Sequence, residues 1–183
     1  YTTLFRSCQS FHSENWAKLS APIIQTKRVC VYRFLSKAIV SAVKYPPIGN
    51  RGVGLSRAHG YAQEFDEHYN WLNNESLVIV QIEHVDGVRN MEEIVSVPGV
   101  DGYFIGPFDL SASLGIPGQF DHPKMIEALE EVRRVTEVTG TISGIHVVQP
   151  IPGDLRKRME EGYQMIAYGI DYLFMANKAR EGC

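Results

Sequence analysis

Apolar positions along this chain fall into two textures. Short runs rich in β-branched residues recur at Leu77–Glu83, Val100–Ile105, Ser143–Val148 and Gln164–Tyr168. Each is bounded by Gly, Pro or polar residues, which predicts four buried strands. Val29–Tyr32 can add a short fifth. Between these runs the apolar residues step by three and four. Leu35, Ala38, Ile39, Ala42 and Val43 predict an amphipathic helix, ended by Pro46 and Pro47 because proline lacks the N–H a helix needs. Phe65, Tyr69 and Leu72 mark a second helix within Tyr61–Asn74, and Met91, Ile94 and Val95 a third within Val88–Val95. Met125, Ile126, Leu129, Val132 and Val135 form the stripe of a longer one. Asp121 is its expected N-cap, Pro123 lies in its first turn and Gly140 closes it. Shorter helices are expected over Asp154–Gly162 and Tyr172–Arg180.

Strand and helix therefore alternate with short links, the pattern of an α/β fold with a parallel sheet. A complete (β/α)8 barrel takes about 250 residues, and this chain has 183. Residues 1–34 differ in texture: they are rich in Ser, Thr, Arg and Lys, and Glu14 is their only acid. The chain starts at Tyr1 rather than Met, so a fragment or processed product is expected. The 1–34 segment is read as a targeting leader, a disordered arm or sequence foreign to the fold, with the domain proper in 35–183.

Composition removes several classes of function. With 44% hydrophobic and 21% charged residues the chain is an ordinary globular domain. A formal charge of −3 leaves no basic footprint for nucleic acid or anionic membrane. No apolar run reaches the roughly 18 residues of a membrane span. Cys8, Cys30 and Cys183 are odd in number and scattered, which points to free thiols, a reducing compartment and a cytoplasmic location.

The chemistry concentrates where strands end. Side chains alternate along a strand, so Leu77, Ile79, Gln81 and Glu83 share one face and Val78, Val80 and Ile82 the other. Gln81 and Glu83 thus project together at a carboxyl end, where parallel α/β proteins keep their sites. Asp109 follows the next strand's Gly106-Pro107. Two such carboxylates suit a hard divalent cation, Mg²⁺ or Mn²⁺. The alternative is that each is a solvated acid, with Asp109 capping a turn. Arg51, in the glycine-punctuated loop Ile48–Arg57, can offer a fork to a carboxylate or serve a plain surface connector. His146 is either a satisfied core histidine or a supporting group of the site. No Ser–His–Asp order or phosphate-binding glycine loop is present, and Gly52-Val-Gly54 lacks the flanking strand and helix of a dinucleotide fingerprint.

Three stretches in register carry a family likeness: Lys44–Gly54 (KYPPIGNRGVG), Val80–Glu83 (VQIE) and Gly99–Ser111 (GVDGYFIGPFDLS). They closely resemble the HpcH/HpaI aldolases, class II pyruvate aldolases of the phosphoenolpyruvate-binding barrel superfamily, across about Leu35–Arg180. The resemblance implies a (β/α)8 barrel, present here as about its carboxyl-terminal half. Glu83 and Asp109 would ligate a divalent metal, Mg²⁺ or Mn²⁺ with Co²⁺ also accepted. Gln81 would contact the substrate oxo group or a metal-bound water, and the backbone around Gly106, Pro107, Phe108 and Asp109 would hold the carboxylate of a 2-oxo acid. Arg51 would be a further catalytic group. The implied reaction is retro-aldol cleavage of a 2-keto-3-deoxy or 4-hydroxy-2-oxo acid to pyruvate and an aldehyde, in a homo-oligomer, commonly a hexamer.

Two departures accompany the likeness. Phe108 stands where family members usually carry a small residue, which would narrow the pocket. The family's catalytic histidine, after an aspartate–glycine–glutamate turn, and its enolate-steadying arginine have no counterpart in 1–34, and His12 lacks that context. A catalytically impaired partial barrel is therefore the alternative to an active aldolase. A citrate-lyase-like relative cleaving a CoA thioester is a third reading.

Overall fold

The computed structural model describes Leu4, Phe5 and residues 24–182. Most of the 1–34 segment, including Cys8, His12 and Glu14, lies outside the described residues, as does Cys183. The elements run β1 (Leu4–Phe5), β2 (Ile24–Val29), α1 (Arg33–Val43), a 3₁₀ stretch (Arg57–Ala62), α2 (Phe65–Asn74), β3 (Val78–Ile82), α3 (Val85–Arg89) and α4 (Met91–Val95). They continue with β4 (Gly102–Ile105), α5 (Pro107–Ser113), α6 (Pro123–Thr139), β5 (Ile142–Val147), α7 (Pro152–Glu160), β6 (Met165–Tyr168) and α8 (Asp171–Glu181).

One six-stranded sheet has the order β1-β6-β5-β4-β3-β2, with β2 to β6 parallel and β1 antiparallel on the β6 edge. From β2 to β6 the order in the sheet is the order in the chain. A doubly wound sheet reverses direction partway across; an uninterrupted sequence of β/α units is the wall of a barrel. The described strands thus form part of an α/β barrel wall, built from consecutive strands.

The alternation read from the sequence separates two cores. Val78, Val80, Ile82, Tyr103, Ile105, Ile145 and Ile166 point outward and pack with Ile39, Met91, Leu110 and Val132 of the surrounding helices. Leu77, Ile79, Phe104, Met165 and Ala167 form a smaller cluster on the inner face. Gln81 and Glu83 share that inner face with Ile79, beyond its apolar floor.

Local chemistry sets the ends of the elements. Helix α6 ends at Gly140, which adopts φ 65° and donates its N–H to Thr136 O. Its N-cap is His122 rather than Asp121, and His122 Nδ1 accepts from Lys124 N. Pro123 occupies the first helical position, which makes the preceding residue the cap. The fifth strand lies at Ile24–Val29, upstream of the Val29–Tyr32 expected from sequence, because Tyr32 is already the N-cap of α1. The stretch expected as one helix over Val88–Val95 is two, α3 and α4, broken at Asn90.

The Lys44–Gly54 motif is a backbone clamp. Gly49 N donates to Tyr45 O, Asn50 N to Ser41 O and Arg51 N to Lys44 O, folding the loop back over the end of α1. Lys44 is buried and its Nζ donates to Leu72 O at 2.9 Å and Ser76 O at 2.8 Å, closing the carboxyl end of α2. Among the described residues no helix is long and apolar enough to cross a membrane. Cys30 is a buried free thiol.

Candidate metal centre

The register between β3 and β4 pairs Gln81 with Phe104 and Ile82 with Ile105. One residue further on, Glu83 meets Gly106, and that meeting defines the site. The Gln81 amide Nε2 donates to Glu83 Oε2 at 2.6 Å. A Cβ placed on Gly106 would lie 2.7 Å from that oxygen and 3.2 Å from Glu83 Cβ. Only a residue without a side chain leaves the carboxylate this position.

Asp109 arrives by a different route. Gly106 is the N-cap of α5 and Pro107 its first residue, so the strand turns directly into a helix and Asp109 falls in its first turn. The sequence pattern offers a capping turn only as the alternative to a ligand at Asp109 and marks no helix after Gly106-Pro107, whereas α5 starts at Pro107. The proline that reads as a break is the first residue of the helix, where its missing N–H costs nothing.

Glu83 feels the charge of Asp109. Burial, followed by the negative charge of Asp109, pushes the Glu83 carboxyl above its ordinary range, and the hydrogen bond from Gln81 only partly opposes this. Two like charges sharing a strand-end site, one of them partly desolvated, form a donor set that a divalent cation would relieve. Among the described residues no group of three or more His, Cys, Asp or Glu side chains gathers around one point. Glu83 and Asp109 could offer two carboxylate donors, a set that leaves room for water oxygens and suits a hard divalent cation.

Gln81, Gly106, Pro107, Phe108 and Asp109 all line one cavity of about 710 Å³ on the inner face of the sheet. Glu83 is tied to it through Gln81 and Gly106. Phe108 is 45% exposed and meets Phe120 edge to face at 4.9 Å. Arg51 is not among the lining residues; its guanidinium lies over the Tyr45 ring, 5.5 Å from the centroid, in an aromatic cluster with His59, His68 and Phe65. The structure thus brings together every sequence-nominated site residue except Arg51. His146 and Gln149 on the β5 side, and Tyr172 on α8, complete the polar lining.

This geometry can be set beside known proteins. A profile of the HpcH/HpaI aldolase/citrate lyase family matches residues 34–177. A hydroxypyruvate/pyruvate aldolase of Cupriavidus necator is 36% identical over 148 residues, 80% of this chain and 54% of that protein. A 2-keto-3-deoxy-L-rhamnonate aldolase of Escherichia coli is 37% identical over 144 residues, 78% of this chain and 53% of that protein. The chain spans about half the length of the curated relatives it matches. The crystal structure of an HpcH/HpaI aldolase from Desulfitobacterium hafniense DCB-2 superimposes with a TM-score of 0.74 at 31% identity, covering 87% of this chain and 61% of that one. A family protein from Burkholderia cenocepacia J2315 gives 0.78 at 28% identity, covering 87% and 62%. The strand order, the carboxylate pair over a glycine and these likenesses agree, and the chain belongs to the HpcH/HpaI aldolase/citrate lyase family.

Proposed function

We propose that this chain carries the metal- and 2-oxo-acid-binding part of a class II aldolase centre, one that cleaves a 4-hydroxy-2-oxo or 2-keto-3-deoxy acid to pyruvate and an aldehyde. The observation that carries the reading is Glu83, just past the end of β3, with its carboxyl raised by burial and by the charge of Asp109 in the first turn of α5, beside the space left by Gly106. Glu83 and Asp109 would hold the divalent cation, Mg²⁺ or Mn²⁺, with Co²⁺ also fitting the same oxygen donors. When bound, such a cation supplies positive charge against the negative charge that develops on the 2-oxo oxygen.

The remaining roles belong to the chain's own groups. Gln81 is held by Glu83 through one amide proton and keeps a second for the substrate oxo oxygen. The first-turn N–H groups of a helix have no intrahelical partner, and Pro107 has none to give, so the donors for a substrate carboxylate start at Phe108 and Asp109. Pro107 and Phe108 close the wall behind them. Homo-oligomer formation belongs to the same proposal, supported by the exposed apolar residues Tyr172, Phe174 and Met175 on α8.

The test uses the purified chain with Mg²⁺ or Mn²⁺ and follows pyruvate release from 2-keto-3-deoxy acids, alongside calorimetric metal titration. Glu83→Ala and Asp109→Ala should each abolish metal binding and pyruvate release, since a lone carboxylate competes poorly with water for such a cation. Metal titration unchanged by both substitutions overturns the metal centre. Intact metal binding without turnover overturns the cleavage reading and leaves family membership untouched.

A further inference from the structure

The register of the sheet places a third group at the level of Glu83. Ile82 pairs with Ile105 and Ile105 with Ile145, so one step later Glu83, Gly106 and His146 lie abreast on three neighbouring strands. Parallel strands are spaced about 4.8 Å apart, so Glu83 and His146 stand roughly 10 Å from each other along the sheet. The residue between them is a glycine. Nothing rises from the central strand at that level, and His146 lines the same cavity as Gln81 and Asp109, with Glu83 reaching it through its bond to Gln81.

The imidazole is held in one tautomer. His146 Nε2 lies 3.3 Å from the Gly169 carbonyl oxygen, which can only accept, so Nε2 carries the proton and Nδ1 is the free lone pair. Nδ1 has no hydrogen-bond partner among the described residues. Tyr168 and Val147 end the paired strands just above His146 and Ala167, so the ring sits at the open, carboxyl-terminal end of the barrel wall. The ring is anchored by one nitrogen and presents the other.

We propose, building on the aldolase reading, that His146 is a proton-transfer residue of this centre. Its Nδ1 takes the proton of the substrate's 4-hydroxyl as the C3–C4 bond breaks. The electron pair of that bond stays with the pyruvate fragment as its enolate, and C4 becomes the aldehyde carbonyl. The proton on Nδ1 then passes to C3, which yields pyruvate and returns the imidazole to its starting state. No oxidant or second reactant enters. Burial pushes the His146 pKa below its ordinary value, so the ring is neutral and able to accept a proton at physiological pH. The ionisable groups facing it are Glu83 from β3, Asp109 from α5 and Tyr172 from α8; Gln81 and Gln149 are neutral.

The experiment isolates the C3 step. Pyruvate is incubated with the wild-type chain and Mg²⁺ in deuterium oxide, and exchange of its methyl protons is followed by NMR across pH, with Mg²⁺ and pyruvate affinities measured in parallel. The His146→Gln variant should exchange about 10²- to 10⁴-fold more slowly with both affinities unmoved, and should lose the acidic limb that the wild type shows below the ordinary histidine range. A merely structural His146 would shift the affinities and leave the limb in place. Wild-type exchange retained by His146→Gln, limb included, overturns the assignment. Binding of Mg²⁺ and pyruvate without any wild-type exchange also overturns it. Failure of the wild type to bind either overturns the aldolase reading itself, and the assignment with it.

Discussion

Gln81 on the inner face of β3 and Glu83 just past its end lie two residues apart, and the amide of the first donates to the carboxylate of the second at 2.6 Å. The bond ties the group expected to touch substrate to a group expected to hold metal. It also spends one of the carboxylate's acceptor positions on orientation, which fixes where its remaining lone pairs point. The geometry depends on a neighbour that contributes no side chain.

Gly106→Ala tests that dependence. The added Cβ would sit 2.7 Å from Glu83 Oε2 and 3.5 Å from Gln81 Nε2. Glu83 must swing away, and the Gln81 bond is strained with it. Metal affinity should fall by about 10- to 100-fold, the usual cost of disturbing groups that orient ligands. Calorimetric titration with Mn²⁺ reads this directly; an unchanged affinity would show that Glu83 does not need its present position.

Phe108 lines the cavity beside Asp109. Its ring packs edge to face on Phe120 at 4.9 Å and stays half exposed. Phe108→Ala should lose about 0.5–1.5 kcal/mol of aromatic contact while opening space beside Asp109. In the condensation direction, the preference for bulky over small aldehyde acceptors should rise by about tenfold or more in kcat/KM. A preference that stays constant while stability drops would confine Phe108 to a packing role.

Much of this was legible because period-two alternation is a local signal. The split of Gln81 and Glu83 from Val80 and Ile82 needed only strand geometry, and β3 to β6 lie where the apolar runs place them. The misread features involve information from elsewhere in the chain. β2 is positioned by pairing with β3, 54 residues away at Ile24↔Val78, and nothing within Ile24–Val29 alternates strongly enough to announce it. Helix α5 was hidden by Gly106-Pro107, which signals a break until the N1 position of proline is considered. His146 gains its place opposite Glu83 from two successive registers, which no local pattern encodes. Arg51, which its glycine-punctuated loop offers either as a carboxylate fork or as part of a plain connector, has its guanidinium over the Tyr45 ring, a placement set by the fold around Tyr45.

Gly140 isolates a purely conformational cost. Its φ of 65° closes α6, and a Cβ there would meet nothing within 4 Å. Gly140→Ala therefore creates no clash, and its penalty is that of holding an L-residue in the left-handed region. That penalty is about 1 kcal/mol, which for a domain of this size lowers the melting temperature by roughly 2–4 °C. Differential scanning calorimetry should show that drop with metal affinity unchanged; an unaltered melting temperature would mean the helix end relaxes to another conformation.

His68 offers a pH-dependent test away from the metal centre. Its Nε2 is buried with no hydrogen-bond partner among the described residues. Its ring packs against His59 at 5.7 Å, Tyr45 at 6.3 Å and Trp71 at 5.7 Å. Burial, then the neighbouring His59 and Arg51, lowers its pKa from the ordinary value of 6.5. The unfolded chain therefore binds a proton at His68 that the folded chain refuses. Stability from this group is fully present above about pH 6.5 and is lost as pH falls through the lower folded value. His68→Phe keeps an aromatic ring in the cluster and removes both the titration and the unpartnered nitrogen. Melting temperatures recorded from pH 7.5 down to pH 5 should show the wild type losing more stability than the variant, with the variant at least as stable at the acid end. Parallel curves for the two proteins would show that His68 stays solvated enough to titrate alike in both states.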